Sequence, residues 1–154
     1  MAGIGYVDKI ILYTREGTGE IGSPIFFHGI PMDNVRIELT ESKNITKDGT
    51  ENANKCIFKI YDEDLPGPYF PPEVWRRIPD KDLNFTFDKD NSFFIITEKK
   101  DINITFVSAP IGAVNDNTYP DGFKEWLQQE YGYVFDVNTI DHYSLIRHWE
   151  IGGK

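Results

Sequence analysis

Val35-Arg36-Ile37-Glu38-Leu39 alternates apolar and charged residues without a break. That two-residue period belongs to a strand with one face buried and one face in water. The same pattern spreads through the chain. Ile57-Phe58-Lys59-Ile60-Tyr61 repeats it with more apolar character, Leu83-Asn84-Phe85-Thr86-Phe87 alternates again, and Ile102-Asn103-Ile104-Thr105-Phe106 follows suit. Phe93 to Thr97 (FFIIT) is continuously apolar to its last residue, as in a strand buried on both faces. Ile10 to Tyr13, Ile25 to Phe27, Tyr133 to Val137 and Arg147 to Ile151 complete a set of about eight or nine short strands. With 3 Trp, 8 Tyr and 11 Phe the chain is rich in the aromatic residues that strands favour. The expected fold is mainly β: a single domain over residues 1–154, a small barrel or sandwich with long loops and one helix.

The helix is predicted near residues 121–131. Asp121 is the expected N-cap, Phe123, Trp126, Leu127 and Tyr131 form an apolar stripe, and Gly132 stops the helix. A shorter helical turn is predicted over Pro72 to Arg76, with Pro72 at its first position and Trp75 pointing inward. Asp62 to Pro72 (DEDLPGPYFPP) contains four prolines and a glycine, so it reads as a rigid loop displaying Tyr69 and Phe70. Lys47-Asp48-Gly49 breaks a polar loop running from Glu41 to Lys55, and Asp88 to Ser92 suits a hairpin turn.

Charge sets the classes to exclude. Against 16 Lys and Arg stand 25 Asp and Glu, a formal net charge of −9. A nucleic-acid-gripping protein carries a basic stripe, and none is visible. The same acidity disfavours an anionic membrane surface. Apolar runs stay far short of the roughly 20 residues of a membrane span. Asp8, Lys9 and Arg15 interrupt the first apolar segment, which therefore does not read as a signal peptide. Cys56 is the single cysteine, which excludes an internal disulfide and suits a cytosolic setting.

Chemistry is sparse. His28, His142 and His148 read as partly exposed, hydrogen-bonded imidazoles, because no cysteine or paired carboxylate completes a ligand set near them. Cys56 precedes Ile57 and Phe58 and reads as a small buried hydrophobe rather than a nucleophile. Asp88 to Ser92 opens like a calcium loop, but Phe93 and Lys99 stand where that loop needs glycine and glutamate. The acidic groups at 62–64 and 80–82 read as solvated turn residues. The sequons at Asn44, Asn84 and Asn103 read as Asn and Thr on exposed strand and turn faces.

The order and spacing of several segments carry a resemblance. They are Lys9 to Tyr13, Ile25 to Ile30, Val35 to Leu39, Ala53 to Ile60, the proline-rich loop with Trp75, NSFFIITEKKD from Asn91 to Asp101, and the ending His148-Trp149-Glu150-Ile151-Gly152-Gly153-Lys154. This arrangement resembles the minor virion proteins of tailed phages and prophages of Firmicutes, and is similar to head-completion or stopper proteins of the head–tail connector. Residues 112–132 depart from that pattern. The resemblance implies a non-enzymatic β-barrel subunit, found in the virion and in the bacterial cytoplasm during assembly. It implies a homo-oligomeric ring below the portal in the virion and a monomer in isolation, with portal, adaptor and tail proteins as partners. It implies no catalytic residue, no cofactor and no metal. The regions given an interface role are loop 41–55 with Lys47 and Asp48, loop 62–72 with Asp62, Glu63, Asp64, Tyr69 and Phe70, and the tail with His148, Trp149 and Glu150. DNA would pass nearby without being gripped, along a lumen lined by carboxylates. Two other readings stay open: a barrel binding a small ligand or peptide through its aromatics, and a carbohydrate-acting enzyme using loop carboxylates such as Asp62 and Asp64.

Overall fold

The computed structural model describes residues 5–16, 24–40, 43–46, 49–52, 55–104 and 108–154. Its strands, in chain order, are β1 (Asp8–Glu16), β2 (Phe26–Thr40), β3 (Lys43–Thr46), β4 (Gly49–Asn52), β5 (Lys55–Tyr61), β6 (Ser92–Glu98), β7 (Gly112–Asn115), β8 (Val134–Tyr143) and β9 (His148–Gly153). Two helices, α1 (Pro72–Trp75) and α2 (Phe123–Tyr131), stand among them. Six strands form a closed antiparallel barrel in the order β1-β6-β8-β9-β5-β2, with β2 returning to β1. β7 adds a seventh strand on the outer side of β2. The mainly β barrel anticipated from the alternating segments is therefore the fold.

β2 is the strand that closes the barrel. Its first part pairs with β1 from Phe26 to Val35, and its last part pairs with β5 from Arg36 to Thr40. Between the two, Asn34 adopts a left-handed conformation with φ 59°. Asparagine tolerates that geometry better than a branched residue would. Two separate strands, at 25–27 and 35–39, were expected here, whereas β2 runs through both and through Pro31. Pro31 is tolerated because β7 reaches β2 only up to Gly29 and β5 begins only at Arg36. The strand has a free side there, where a missing N–H breaks no ladder.

Two hydrophobic clusters explain why FFIIT is buried on both faces. Phe94 and Ile96 point into the barrel with Ile10, Leu12, Phe58 and Phe135. Phe93 and Ile95 point outward, where α2 covers them with Phe123 and Leu127. The predicted helical stripe is the packing face, with Trp126 and Tyr131 half-buried at its margin. Gly132 ends the helix in the left-handed region, at φ 85°. The cap differs from expectation. Gly122 occupies the N-cap position, and the Phe123 N–H donates to Asp116 Oδ1 at 2.8 Å, so Asp116 takes the part assigned to Asp121.

Three further corrections concern strands and loops. Part of the polar loop 41–55 is the hairpin β3–β4, a two-stranded sheet of its own. Lys47 and Asp48 lie outside the described residues. The alternating segment Leu83 to Phe87 is not a sheet strand. Its Phe85, Thr86 and Phe87 are all buried, and only Phe85 pairs, in a single bridge with Tyr69. The neighbouring prolines deny it a ladder. Residues 100–104 form a turn with Asn103 at φ 61°, closed by a bridge between Lys99 and Ile104. Residues 105 and 106 of that expected strand lie outside the described residues. β7 and the β3–β4 pair were not anticipated.

The barrel has two unlike ends. Tyr61, Ser92, Tyr143 and His148 mark the upper end, and the segment 62–91 crosses it as a cap, driving Phe85 and Phe87 into the core. α1 lies in this cap and buries Trp75, as its sequence predicts. Thr40, Lys55, Glu98 and Gly153 mark the lower end. Among the described residues, no helix is long and apolar enough to cross a membrane.

Candidate interaction surface

Two of the three regions with an expected interface role meet at the upper end. Loop 62–72 leaves β5 beside the first residues of β9, and its backbone is tied there: the Asp62 N–H donates to the Arg147 carbonyl at 3.1 Å. His142, on β8, sends Nε2 to the Asp62 carboxylate at 3.0 and 3.1 Å. Arg147 Nε stands 3.6 Å from the same carboxylate. Asp62 is thus half-buried and engaged by β8 and by the turn that follows it, rather than a free turn acid. Asp64 is half-buried as well, and Glu63 is exposed.

The aromatics of both regions interlock. Trp149 packs between Tyr69, at 4.7 Å between ring centroids, and His142, at 4.6 Å. Tyr69 also meets Phe85 and Phe87. Tyr69 and Phe70 were expected to be on display, yet both are half-buried. The cause is the cap's course: four prolines fold residues 62–72 back over the barrel mouth instead of outward. Burial pushes the Tyr69 hydroxyl above its ordinary pKa of 10.0.

His148 and Glu150 face the outside of β9. His148 Nδ1 donates to the Ile146 carbonyl at 2.6 Å, and its ring stacks on Tyr143 at 4.9 Å with an interplanar angle of 9°. Glu150 lies 3.3 Å from Lys59, which reaches Glu38 at 3.5 Å, so three neighbouring strands share one ladder of charges. Desolvation raises Glu150, but hydrogen bonds from Lys59, Tyr143 and His148 and the Lys59 charge bring it below its ordinary 4.5. Desolvation likewise lowers Lys59, and its two carboxylate partners overcome this to raise it. Repulsion from Glu150 is the main cause holding the Tyr143 hydroxyl up.

What the sequence reading missed lies between β8 and β9. Tyr143 pairs with His148, and residues 144–147 turn the chain between them. Leu145 is 98% exposed and Ile146 63%. The signal was present in Ser144-Leu145-Ile146-Arg147, an aliphatic pair in a hairpin turn, where polar residues are usual. The tip's backbone is anchored by the Asp62 and His148 hydrogen bonds described above. The result is an apolar prong whose backbone is tied to Asp62 and His148.

The remaining candidates for chemistry are structural. His28 was expected to be partly exposed, but it is buried at 6% exposure, with Glu16 at 3.2 Å and Asp82 at 3.3 Å. It points into the upper end of the barrel because it alternates with Ile30 and Met32. Thr86 is buried too, so the Asn84 sequon does not lie on an exposed face. Cys56 is a free thiol at 0% exposure, and burial pushes its pKa up to about 12, matching the small buried hydrophobe read from sequence. Among the described residues, no three His, Cys, Asp or Glu side chains gather into a metal-binding group. The barrel interior is occupied by Phe58, Phe87, Phe94 and Phe135, all at 3% exposure or less, which leaves no lumen for a ligand in their layer. No protein-family model matches the chain, and neither a curated protein nor a solved structure matches it.

Proposed function

We propose that the chain is a non-enzymatic assembly subunit, and specifically a head–tail joining protein of the stopper or head-completion kind in a tailed phage or prophage. Its partners are then portal or adaptor and tail proteins, and its working form is a ring of copies. One observation carries the reading of an assembly subunit: the anchored tip with Leu145 and Ile146 in solvent. An exposed aliphatic pair on an anchored hairpin is costly to a lone soluble protein and useful at an interface. The filled barrel supports a scaffold role, and the resemblance in segment order supports the phage connector. The net charge of −9 suits a subunit near passing DNA, since acidic walls do not hold phosphate.

Purified protein is mixed with connector rings of portal and adaptor, and virions are searched for it by mass spectrometry. Co-assembly that is lost in the Leu145→Glu, Ile146→Glu double variant is the supporting result. A chain that neither binds such rings nor occurs in virions is not a connector protein.

A further inference from the structure

At the lower end of the barrel, opposite the tip, lies an open cleft of about 380 Å³. Ile37, Leu39, Ile102 and Tyr133 give it apolar walls, Lys99 lines it as well, and Glu38 and Asp101 stand at its edge, paired within the chain to Lys59 at 3.5 Å and to Lys99 at 2.8 Å. Both carboxylates reach solvent, Glu38 at 46% and Asp101 at 67% side-chain exposure. Lys99 holds Asp101 below its ordinary pKa, so it stays ionised in neutral solution. Ile102 is itself 39% exposed. The tip carries the complementary features: two solvated aliphatic side chains, followed by Arg147 with 77% of its side chain exposed.

We propose that the tip of one copy seats in the lower cleft of a second copy, Leu145 and Ile146 meeting the apolar walls and Arg147 facing Glu38 and Asp101. This rests on the reading of the chain as an assembly subunit and says how its copies join. The occupant is another copy because the chain displays both halves of the contact, apolar against apolar and a cation against carboxylates. The two surfaces lie at opposite ends of one barrel. The contact is therefore heterologous: each copy gives a tip and receives one, and the series ends only by closing into a ring.

The geometry is tested with cysteines at its two sides. Leu145→Cys and Ile102→Cys replace surface residues, and the native Cys56 is buried, so a short bis-maleimide reports the new thiols alone. The double variant is expected to give a ladder of covalent multimers. A mixture of the two single variants is expected to stop at a dimer, because each retains only one reactive side. Adding Ile146→Glu to the Leu145→Cys variant should abolish that dimer. The proposal is overturned if the double variant stays monomeric, as it would were the tip reserved for a foreign protein. It is equally overturned if Leu145→Cys alone links to itself as fully as the mixture does. Failure here with connector-ring binding intact removes only the contact between copies. A ladder from a chain that binds no connector ring removes the phage reading and leaves the contact standing.

Discussion

Trp149 of β9 holds Tyr69 of the cap at 4.7 Å between ring centroids, and this contact joins the last strand of the barrel to the loop that closes its upper end. Both rings are half-buried, so each trades part of its hydration for the other's face. Trp149→Ala should cost about 2 kcal/mol, below the range for a fully buried tryptophan. Tyr69→Ala should cost less, and the double variant less than the sum, because the two share one contact. Urea unfolding of the three variants measures this.

Phe87 enters the core from the cap and touches Phe58, Phe85, Tyr69 and Trp149. At 1% exposure, its truncation to alanine should cost about 3–5 kcal/mol. If the cap were a loose flap, Phe87→Ala would leave the unfolding midpoint almost unchanged.

Gly153 tests the tightness of the barrel interior. A Cβ there would lie 2.7 Å from Phe94 Cε1 and 2.8 Å from Phe135 Cβ, and neither ring has space to retreat. Gly153→Ala should therefore destabilise by about 1–3 kcal/mol through overpacking. A variant as stable as the parent in thermal unfolding would show that the wall yields.

The Lys59–Glu150 pair predicts a pH dependence. Glu150 titrates below its ordinary 4.5 in the folded chain, so its contribution is present above that value and disappears as pH falls through the folded value. Lys59 is raised, so its share is present at neutral pH and is lost as pH rises through its folded value. Both side chains are partly solvated, which keeps the effect to about 1 kcal/mol or less. Glu150→Gln should lower stability at pH 7 by that amount and flatten the acid side of the stability curve. Denaturant titrations from pH 3 to pH 7 read it directly.

Cys56 predicts a reactivity. Burial and a thiol pKa pushed up to about 12 leave almost no accessible thiolate, so the folded protein should not colour Ellman's reagent at pH 8. Unfolding in guanidinium should release one thiol per chain.

Much of the barrel was legible because half-burial imprints a two-residue period. β1, β5, β6 and β9 sit where that period or a continuous apolar run places them, and α2 sits where its stripe does. The failures have a common cause. Leu83 to Phe87 alternates, but it belongs to the cap, where Phe85 and Phe87 enter the core with only a single bridge to Tyr69, so alternation did not mean pairing. Ile25 to Phe27 and Val35 to Leu39 read as two strands, yet one strand, β2, runs through both. Lys43 to Thr46 and Gly49 to Asn52 are polar strands whose pairing leaves no apolar period to detect. The candidate surface was legible in part. His148, Trp149, Asp62 and Tyr69 do come together, but their contacts bind the cap to the wall. The exposed element is instead the turn between two strands, a relation that only the folded hairpin reveals.

The place of β9 between β5 and β8 has a consequence for how the chain is made. A polypeptide emerging from the ribosome can pair β1 with β2 and β2 with β5 early, and β6 with both β1 and β8 later. Until residues 148–153 are free, β5 and β8 each keep an unpaired edge. Such edges are templates for wrong pairing between chains. Closure of the barrel therefore waits on a six-residue stave, the last of its strands in chain order. A cut ahead of His148 should send the product to aggregates rather than to a weakened barrel.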